Sequence, residues 1–166
     1  MYRKLLIAID PKDDGEGRRA LEAALNLLEE GGELHLASVF NPGGSGFFPH
    51  VTEEAPEDKE EQVRHHLDLL ARKYLPLNRE AILHVVAGSA GEKLVALAGQ
   101  LCADLMILVS RGGGSHWPLR KATVEYVSVN APCAVLVLPS MEKNESDGPV
   151  ESEEGPCPLG SEKREL

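Results

Sequence analysis

The chain has no long apolar run, and it is short of basic residues, cysteine and aromatic side chains. A membrane-spanning helix needs about 18 consecutive apolar residues, whereas the apolar run near the start covers only Leu5–Ile9. We therefore expect neither a membrane span nor a secretory signal segment. Its 17 Lys and Arg residues are outnumbered by 27 Asp and Glu, giving a net charge of −10. Because nucleic acids and anionic membranes are bound largely through Lys and Arg, this balance argues against both as partners.

Cysteine and histidine are too sparse and too poorly spaced for the usual metal or thiol chemistry. Cys102, Cys133 and Cys157 are odd in number, lie far apart and form no CxxC pair, which argues against a disulfide framework and against thiol catalysis. Thiols in mostly apolar segments are typical of a reducing compartment, so we expect a cytoplasmic protein. The adjacent His65 and His66 would point about 100° apart on a helix, which argues against a shared metal ion.

Apolar runs alternate with segments of helical periodicity along most of the chain. The runs predict strands at residues 4–10, 33–40, 81–88, 104–110 and 133–139, and the periodicity predicts helices at 15–30, 57–74, 91–103 and 118–130. Gly31 and Gly32 are expected to stop the first helix, and the Gly- and Pro-rich residues 41–56 predict a loop. Strands separated by helices favour a parallel sheet with helices on both faces, with the first strand at its centre.

The last 26 residues differ in composition from the rest. Met141–Leu166 holds eight acids against three bases and few large apolar side chains, which is typical of a disordered tail. Residues 1–140 are long enough for a single core. We therefore expect one α/β domain over residues 1–140 followed by an acidic tail over 141–166.

The segment Asp104–Pro139 holds the strongest functional signal. It reads as a strand, the glycine-rich turn RGGGS, a helix and a second strand. Such a turn lies at the carboxyl edge of a parallel sheet, where backbone N–H groups at a helix start favour an anion such as phosphate. The alternative is a structural turn whose glycines serve only its tight geometry.

With this order of elements, residues 2–139 resemble the universal stress protein family. The resemblance lies in KLLIAID with Asp10, ASVF, AGSAGEKLVALA, ADLMILVSRG and APCAVLVLP. It implies a doubly wound five-stranded parallel sheet with helices on both faces, the architecture called adenine nucleotide alpha hydrolase-like. It also implies dimerisation through the fifth strand and, in one branch of the family, ATP binding.

The ATP-binding branch carries the pattern Gly-x2-Gly-x9-Gly-Ser/Thr, which is altered here. At that spacing the chain has Val109, Gly112, Ala122 and Thr123; counting back from APCAVLV instead places Lys121 and Ala122 at the final pair. Glycine lets the backbone approach phosphate closely, and a Cβ at such a position crowds the anion. The sequence therefore predicts a degraded ATP site.

Permissive backbone and positive charge nevertheless remain near the turn. Gly113, Gly114 and Ser115 follow Gly112, and Arg111, Arg120 and Lys121 offer charge for a phosphate. By resemblance, the residues that would hold the nucleotide are Asp10, Val39, Gly112, Gly114, Ser115 and Thr123.

Several of these candidate residues also have a purely structural interpretation. In that interpretation Asp10 caps the turn that follows it, the side chain of Val39 belongs to the core, and Arg111 is solvated. His116 and Trp117 either stack on a base or pack against the protein itself. The Phe47–Phe48 pair either shields a ligand or a dimer surface, or lies in the loop without a binding role.

Recognised catalytic motifs are absent from the sequence. There is no G-x4-GK[ST] loop and no G-x-S-x-G elbow, and strands three and five end in Gly88 and Pro139 rather than in the aspartate and lysine of a phosphoacceptor domain. We therefore expect a noncatalytic, homodimeric protein with a regulatory or stress-response role. The alternative is a switch that binds ATP or AMP, and an enzyme acting on a nucleotide-like substrate ranks last. The apolar strand Cys133–Pro139 is expected to pair with a second copy, because an unpaired edge strand invites association.

Overall fold

The computed structural model describes residues 1–10, 14–40, 56–110 and 118–139. Within them the elements are β1 (Tyr2–Ala8), α1 (Asp14–Leu27), β2 (Leu28–Phe40), α2 (Pro56–Tyr74), β3 (Ala81–Ala87), α3 (Ala90–Leu101), β4 (Leu105–Ser110), α4 (Pro118–Asn130) and β5 (Ala134–Pro139). All five predicted strands and all four predicted helices are present in this part of the chain. The expected acidic tail at 141–166 and all but the last residue of the expected loop at 41–56 lie outside the described residues.

The sheet has the order β3-β2-β1-β4-β5, and every strand pair is parallel. β1 is central, as predicted. The right-handed rule for parallel crossovers places α1 and α2 on one face and α3 and α4 on the other. The predicted doubly wound α/β fold is therefore confirmed.

Each face of the sheet has its own apolar core. The first core cluster, on the side of α1 and α2, includes Leu5, Ile7, Leu21, Leu36 and Leu67. The second core cluster, on the side of α3 and α4, includes Leu6, Leu94, Leu97, Met106 and Val127. Neighbouring β1 residues enter different clusters because strand side chains alternate between faces, which explains why the run KLLIAID is continuously apolar.

The predicted role of the Gly31–Gly32 pair was wrong. α1 already ends at Leu27, and both glycines lie within β2. The β1–β2 register advances from Tyr2↔Leu28 to Lys4↔Glu33, so β2 carries extra residues at this point. Gly31 has φ +77°, and a Cβ on Gly32 would lie 2.8 Å from the Arg3 carbonyl oxygen. The glycines are needed for this strand irregularity rather than for a helix stop.

Asp104 links the starts of two neighbouring strands. Its Oδ2 accepts the backbone N–H groups of Arg3 at 3.0 Å and Lys4 at 2.9 Å, and its own N–H donates to the Lys4 carbonyl at 2.9 Å. These bonds fix the amino end of β4 beside β1. None of the helices described is both long and apolar enough to span a membrane.

Candidate functional site

The strand order reverses between β1 and β4, whose carboxyl ends lie side by side. From β1 the chain builds outwards through β2 to β3, and then crosses back to place β4 on the other side of β1. In doubly wound sheets the crevice at this point is where ligands bind. The candidate residues from the sequence are therefore judged by their position relative to this edge.

Asp10 lies at this edge, two residues beyond the end of β1, and is half-buried. The preceding Ile9 is buried, and its N–H donates to the Ala37 carbonyl oxygen at 2.8 Å. This bond extends the β1–β2 pairing and fixes the backbone that carries Asp10. A carboxylate is thus present at the predicted place, while its role in binding stays a prediction.

Val39 lies one residue before the end of β2 and pairs with Val86 of β3. Its half-buried side chain packs against the second core cluster. The next residue, Phe40, accepts the N–H of Gly88 at 2.9 Å, so pairing with the β3 side continues to the end of the strand. The side chain of Val39 packs as a core group, and its predicted part in holding the nucleotide stays a prediction.

The phosphate side of the candidate site is only partly described. Thr123 lies on α4 and is half-buried. The other predicted contacts, Gly112, Gly114 and Ser115, lie outside the described residues, as do Arg111, His116, Trp117 and the Phe47–Phe48 pair. The structure therefore brings Asp10 and Val39 to one edge and places Thr123 on the helix that follows the turn.

Val109, at the first glycine position of the ATP pattern, is an ordinary strand residue. It pairs with Leu138 of β5, is half-buried, and packs against the first core cluster. Among the described non-glycine residues only Cys102 has a positive φ. β4 thus continues as regular strand, with a branched side chain, through the position where the ATP-binding branch has glycine.

Comparison with known families decides what this fold belongs to. A profile of the Universal stress protein family matches residues 1–139. The chain belongs to the universal stress protein family. A search of curated protein sequences gave no significant match.

Solved structures of universal stress proteins share this fold. UspA from Lactobacillus plantarum is 18% identical with a TM-score of 0.61, and the match covers 83% of this chain and 99% of that chain. A universal stress protein in complex with cAMP is 18% identical with a TM-score of 0.59, covering 82% and 96%. The Archaeoglobus fulgidus universal stress protein in complex with dAMP is 17% identical with a TM-score of 0.51, covering 82% and 97%. At these identities the likeness shows the fold alone.

A buried histidine pair, which the sequence analysis did not identify, connects β2 and β3. His35 Nδ1 lies 2.9 Å from His84 Nε2, and the rings are stacked with centroids 5.2 Å apart. His35 is only 3% exposed, and His84 is half-buried. The sequence signal was a histidine inside each of two apolar strands, but the contact depends on the register, in which His35 pairs with Ile82 and His84 with Ala37.

Charged groups continue this contact towards β1. Glu33 Oε2 lies 3.4 Å from His35 Nε2 and 3.1 Å from Lys4 Nζ. Hydrogen bonds from Lys4 and then from His35 hold the pKa of Glu33 below its ordinary value. Because the ionised carboxylate can only accept, the Glu33 contact selects the tautomer of His35 that carries its proton on Nε2.

Both histidines of the pair favour the neutral form. Burial lowers the pKa of His35, although Glu33 opposes this effect. Burial also lowers the pKa of His84, and positive charge on His35 and Arg64 lowers it further. The pair therefore resists protonation in the folded protein.

The other histidines and cysteines among the described residues show no shared arrangement. His65 is exposed, whereas His66 Nε2 lies 3.4 Å from Asp14 Oδ1 without forming a hydrogen bond to it. Cys102 and Cys133 are free thiols, and burial raises the pKa of Cys133, which disfavours its thiolate. In the part of the chain that the structure describes, no three His, Cys, Asp or Glu residues gather as a metal site.

Proposed function

We propose that this chain is a noncatalytic, homodimeric universal stress protein with a regulatory or stress-response role. We further propose that its nucleotide site binds phosphate only weakly. The observation that carries the proposal is Val109. Its side chain is packed against the first core cluster, and its backbone is held in β4 by pairing with Leu138.

The reasoning from Val109 is steric. A glycine at position 109 would leave bare main chain that an anion can approach, and it would permit a positive φ at that position. A branched side chain removes both freedoms, since Cβ occupies the space and Val disfavours positive φ. Asp10 and Val39 still lie at this edge, so the proposal keeps the nucleotide side of the site while its phosphate side is weakened.

A ligand-dependent melting experiment tests this proposal. A ligand that binds only the native state stabilises it by about 2.7 kcal/mol at 100 times its Kd, which is several degrees in melting temperature for a domain of this size. We expect no rise with millimolar ATP or AMP for the natural chain. A rise of several degrees would contradict the proposal.

Repairing the pattern provides the complementary test. Val109→Gly combined with Ala122→Gly restores glycine at both altered positions and keeps Thr123 as the final hydroxyl. We expect this variant to gain an ATP-dependent rise in melting temperature. Val85→Gly is the matched control, because Val85 is also half-buried in a strand and packs against the first core cluster. A repaired variant that binds ATP no better than this control would show that the steric explanation is wrong.

The homodimer is proposed through β5. In the described sheet this strand pairs only with β4, so its other backbone edge is open to a partner strand. Val137 is 36% exposed on the strand, and a twofold axis would cover both open edges at once.

Sedimentation velocity at tens of micromolar checks the dimer. Val137→Lys should convert the dimer to monomer, whereas Ile82→Lys, which places the same charge at an exposed position of the opposite edge strand β3, should leave it intact. A purely monomeric natural chain, or equal effects of the two variants, would contradict pairing through β5.

The noncatalytic and cytoplasmic parts of the proposal rest on separate observations. The sequence has no phosphate loop with lysine, no nucleophile elbow and no phosphoacceptor pair, so we expect no phosphate release from ATP above that of an Asp10→Asn variant. The free thiols of Cys102 and Cys133 support a reducing compartment.

A nucleotide-dependent switch is the second candidate. It is favoured by the position of Asp10 and Val39 at the ligand-binding edge and by the relatives solved with cAMP and dAMP. The melting experiment separates the two candidates, because only the switch predicts stabilisation by an adenine nucleotide.

A further inference from the structure

The His35–His84 contact joins β2 to an edge of the sheet. β3 pairs only with β2 in the described sheet, and α2 packs on the face that carries the first core cluster. The two imidazoles lie on the other face, because the neighbours of both histidines, Leu34, Leu36, Leu83 and Val85, belong to or pack against the first core cluster. There Ile82 is 51% exposed. Within the described residues, the histidine pair is therefore a side-chain link from β2 to an edge strand that has no second strand neighbour.

Three charged side chains influence the pair, and one of them, Arg64, comes from α2 on the opposite face of the sheet. β2 supplies Glu33, β1 supplies Lys4, and α2 supplies Arg64. α3 presents buried apolar side chains to this face of the sheet, and its Lys93 extends along Gly88 just after β3. Glu33 is thus the anion in contact with the pair, and it touches His35 rather than His84.

The hydrogen bonds define where protons are accepted. With Nε2–H of His35 directed to Glu33, the bare Nδ1 of His35 accepts the Nε2–H of His84. A first added proton goes to Nδ1 of His84 and leaves both hydrogen bonds in place. A second must go to Nδ1 of His35, where it would face the Nε2–H of His84 across 2.9 Å. Two like charges and two opposed donors would repel each other at this part-buried contact.

We propose that His35 and His84 form a proton-operated latch on β3, which holds with no or one added proton and opens when the second is taken up. Opening separates the rings and loosens the edge strand Ala81–Ala87 from β2. β3 pairs with only one strand, whereas β1, β2 and β4 each pair on both sides, so the response is local to this edge. The latch gives the protein a structural response to acidification that is independent of any nucleotide.

Nitrogen NMR of the natural chain tests the protonation order directly. His84 should titrate first and at Nδ1, while His35 keeps the tautomer protonated on Nε2 until a lower pH. Independent titration of the two rings, each near its ordinary pKa, would overturn the proposal without the need for any variant.

Hydrogen exchange between pH 7.5 and 5 tests the opening. After correction for intrinsic exchange rates, the opening equilibrium of β3 amides should rise by up to tenfold per pH unit once the second proton is taken up, because one proton drives the step. Amides of β4 serve as the internal reference and should stay protected. Parallel loss of protection in β3 and β4 would mean global unfolding and would refute a local latch.

The variant His84→Gln isolates the role of the pair. A glutamine amide can turn its NH2 towards neutral His35 or its oxygen towards protonated His35, so it should hold β3 across this pH range. His65→Gln removes an exposed histidine from α2 and should keep the natural profile. If His84→Gln shows the same pH-dependent opening of β3 as the natural chain, the pair is not the latch.

Discussion

Two glycines of α3 should respond in opposite ways to the same substitution. Gly91 lies against α4: a Cβ there would meet Tyr126 at 2.9 Å from Cδ1, 3.2 Å from Cγ and 3.3 Å from Cβ. These atoms are near the root of the tyrosine side chain, which cannot move away without shifting α4 itself. Gly99 is exposed, and its nearest contact would be Pro132 Cγ at 3.9 Å.

The expected magnitudes follow from two opposing effects. Replacing glycine by alanine inside a helix stabilises it by up to about 1 kcal/mol, and forcing an extra methyl into a tight contact costs about 1–3 kcal/mol. Gly99→Ala should therefore raise the free energy of unfolding by about 0.5–1 kcal/mol, whereas Gly91→Ala should lower it by about 1–2 kcal/mol.

Urea denaturation, with the m-value held as a check on two-state behaviour, measures both changes. Each variant is the control for the other, because the substitution and the helix are the same. If Gly91→Ala is as stabilising as Gly99→Ala, the close packing of α3 on α4 described here is wrong.

Three further predictions concern stability. Asp104→Ala should lower the free energy of unfolding by about 1–3 kcal/mol, since two backbone N–H groups lose a charged acceptor. Asp104→Asn keeps one acceptor oxygen and should lower the free energy of unfolding by less. Equal urea midpoints for Asp104→Ala and the natural chain would contradict this. Ser38 is 1% exposed and its Oγ has no hydrogen-bond partner in the described structure, so Ser38→Ala should raise the free energy of unfolding by about 1 kcal/mol. A loss of stability would reveal a partner for the hydroxyl. Because the pKa values of His35 and His84 are lowered in the fold, the unfolded chain binds more protons than the folded protein below about pH 6.5. The free energy of unfolding should therefore be constant above that pH and fall as pH drops towards the folded pKa values, by at most about 1.4 kcal/mol per pH unit for each histidine. A flat profile of stability from pH 7 to 5 would refute this.

The order and type of the elements were predictable because they depend on local patterns. Continuous apolar runs mark strands buried on both faces, and the crossover rule then constrains how those strands assemble. The glycines at Gly31 and Gly32 were misassigned because a helix stop and a strand irregularity both require backbone freedom, and the pattern alone does not distinguish them. Only the pairing of Tyr2 with Leu28 reveals that the strand has already begun.

The candidate site was predictable only in part for a related reason. That Asp10 and Val39 lie at one edge follows from their places at strand ends, since all parallel strands finish at the same edge of the sheet. Their roles in binding rest on the family resemblance and stay predictions. The His35–His84 contact depends on the register between segments 49 residues apart, which no local periodicity encodes. Whether Val109 weakens phosphate binding depends on the space around its side chain in the complete site, so this stays a prediction.

Titration calorimetry of the purified chain with ATP tests the central claim most directly. With Val109 packed in the strand at the first glycine position of the ATP-binding pattern, the account predicts no measurable heat of binding at millimolar ATP, and measurable binding after Val109→Gly with Ala122→Gly. Micromolar affinity of the natural chain for ATP would contradict it.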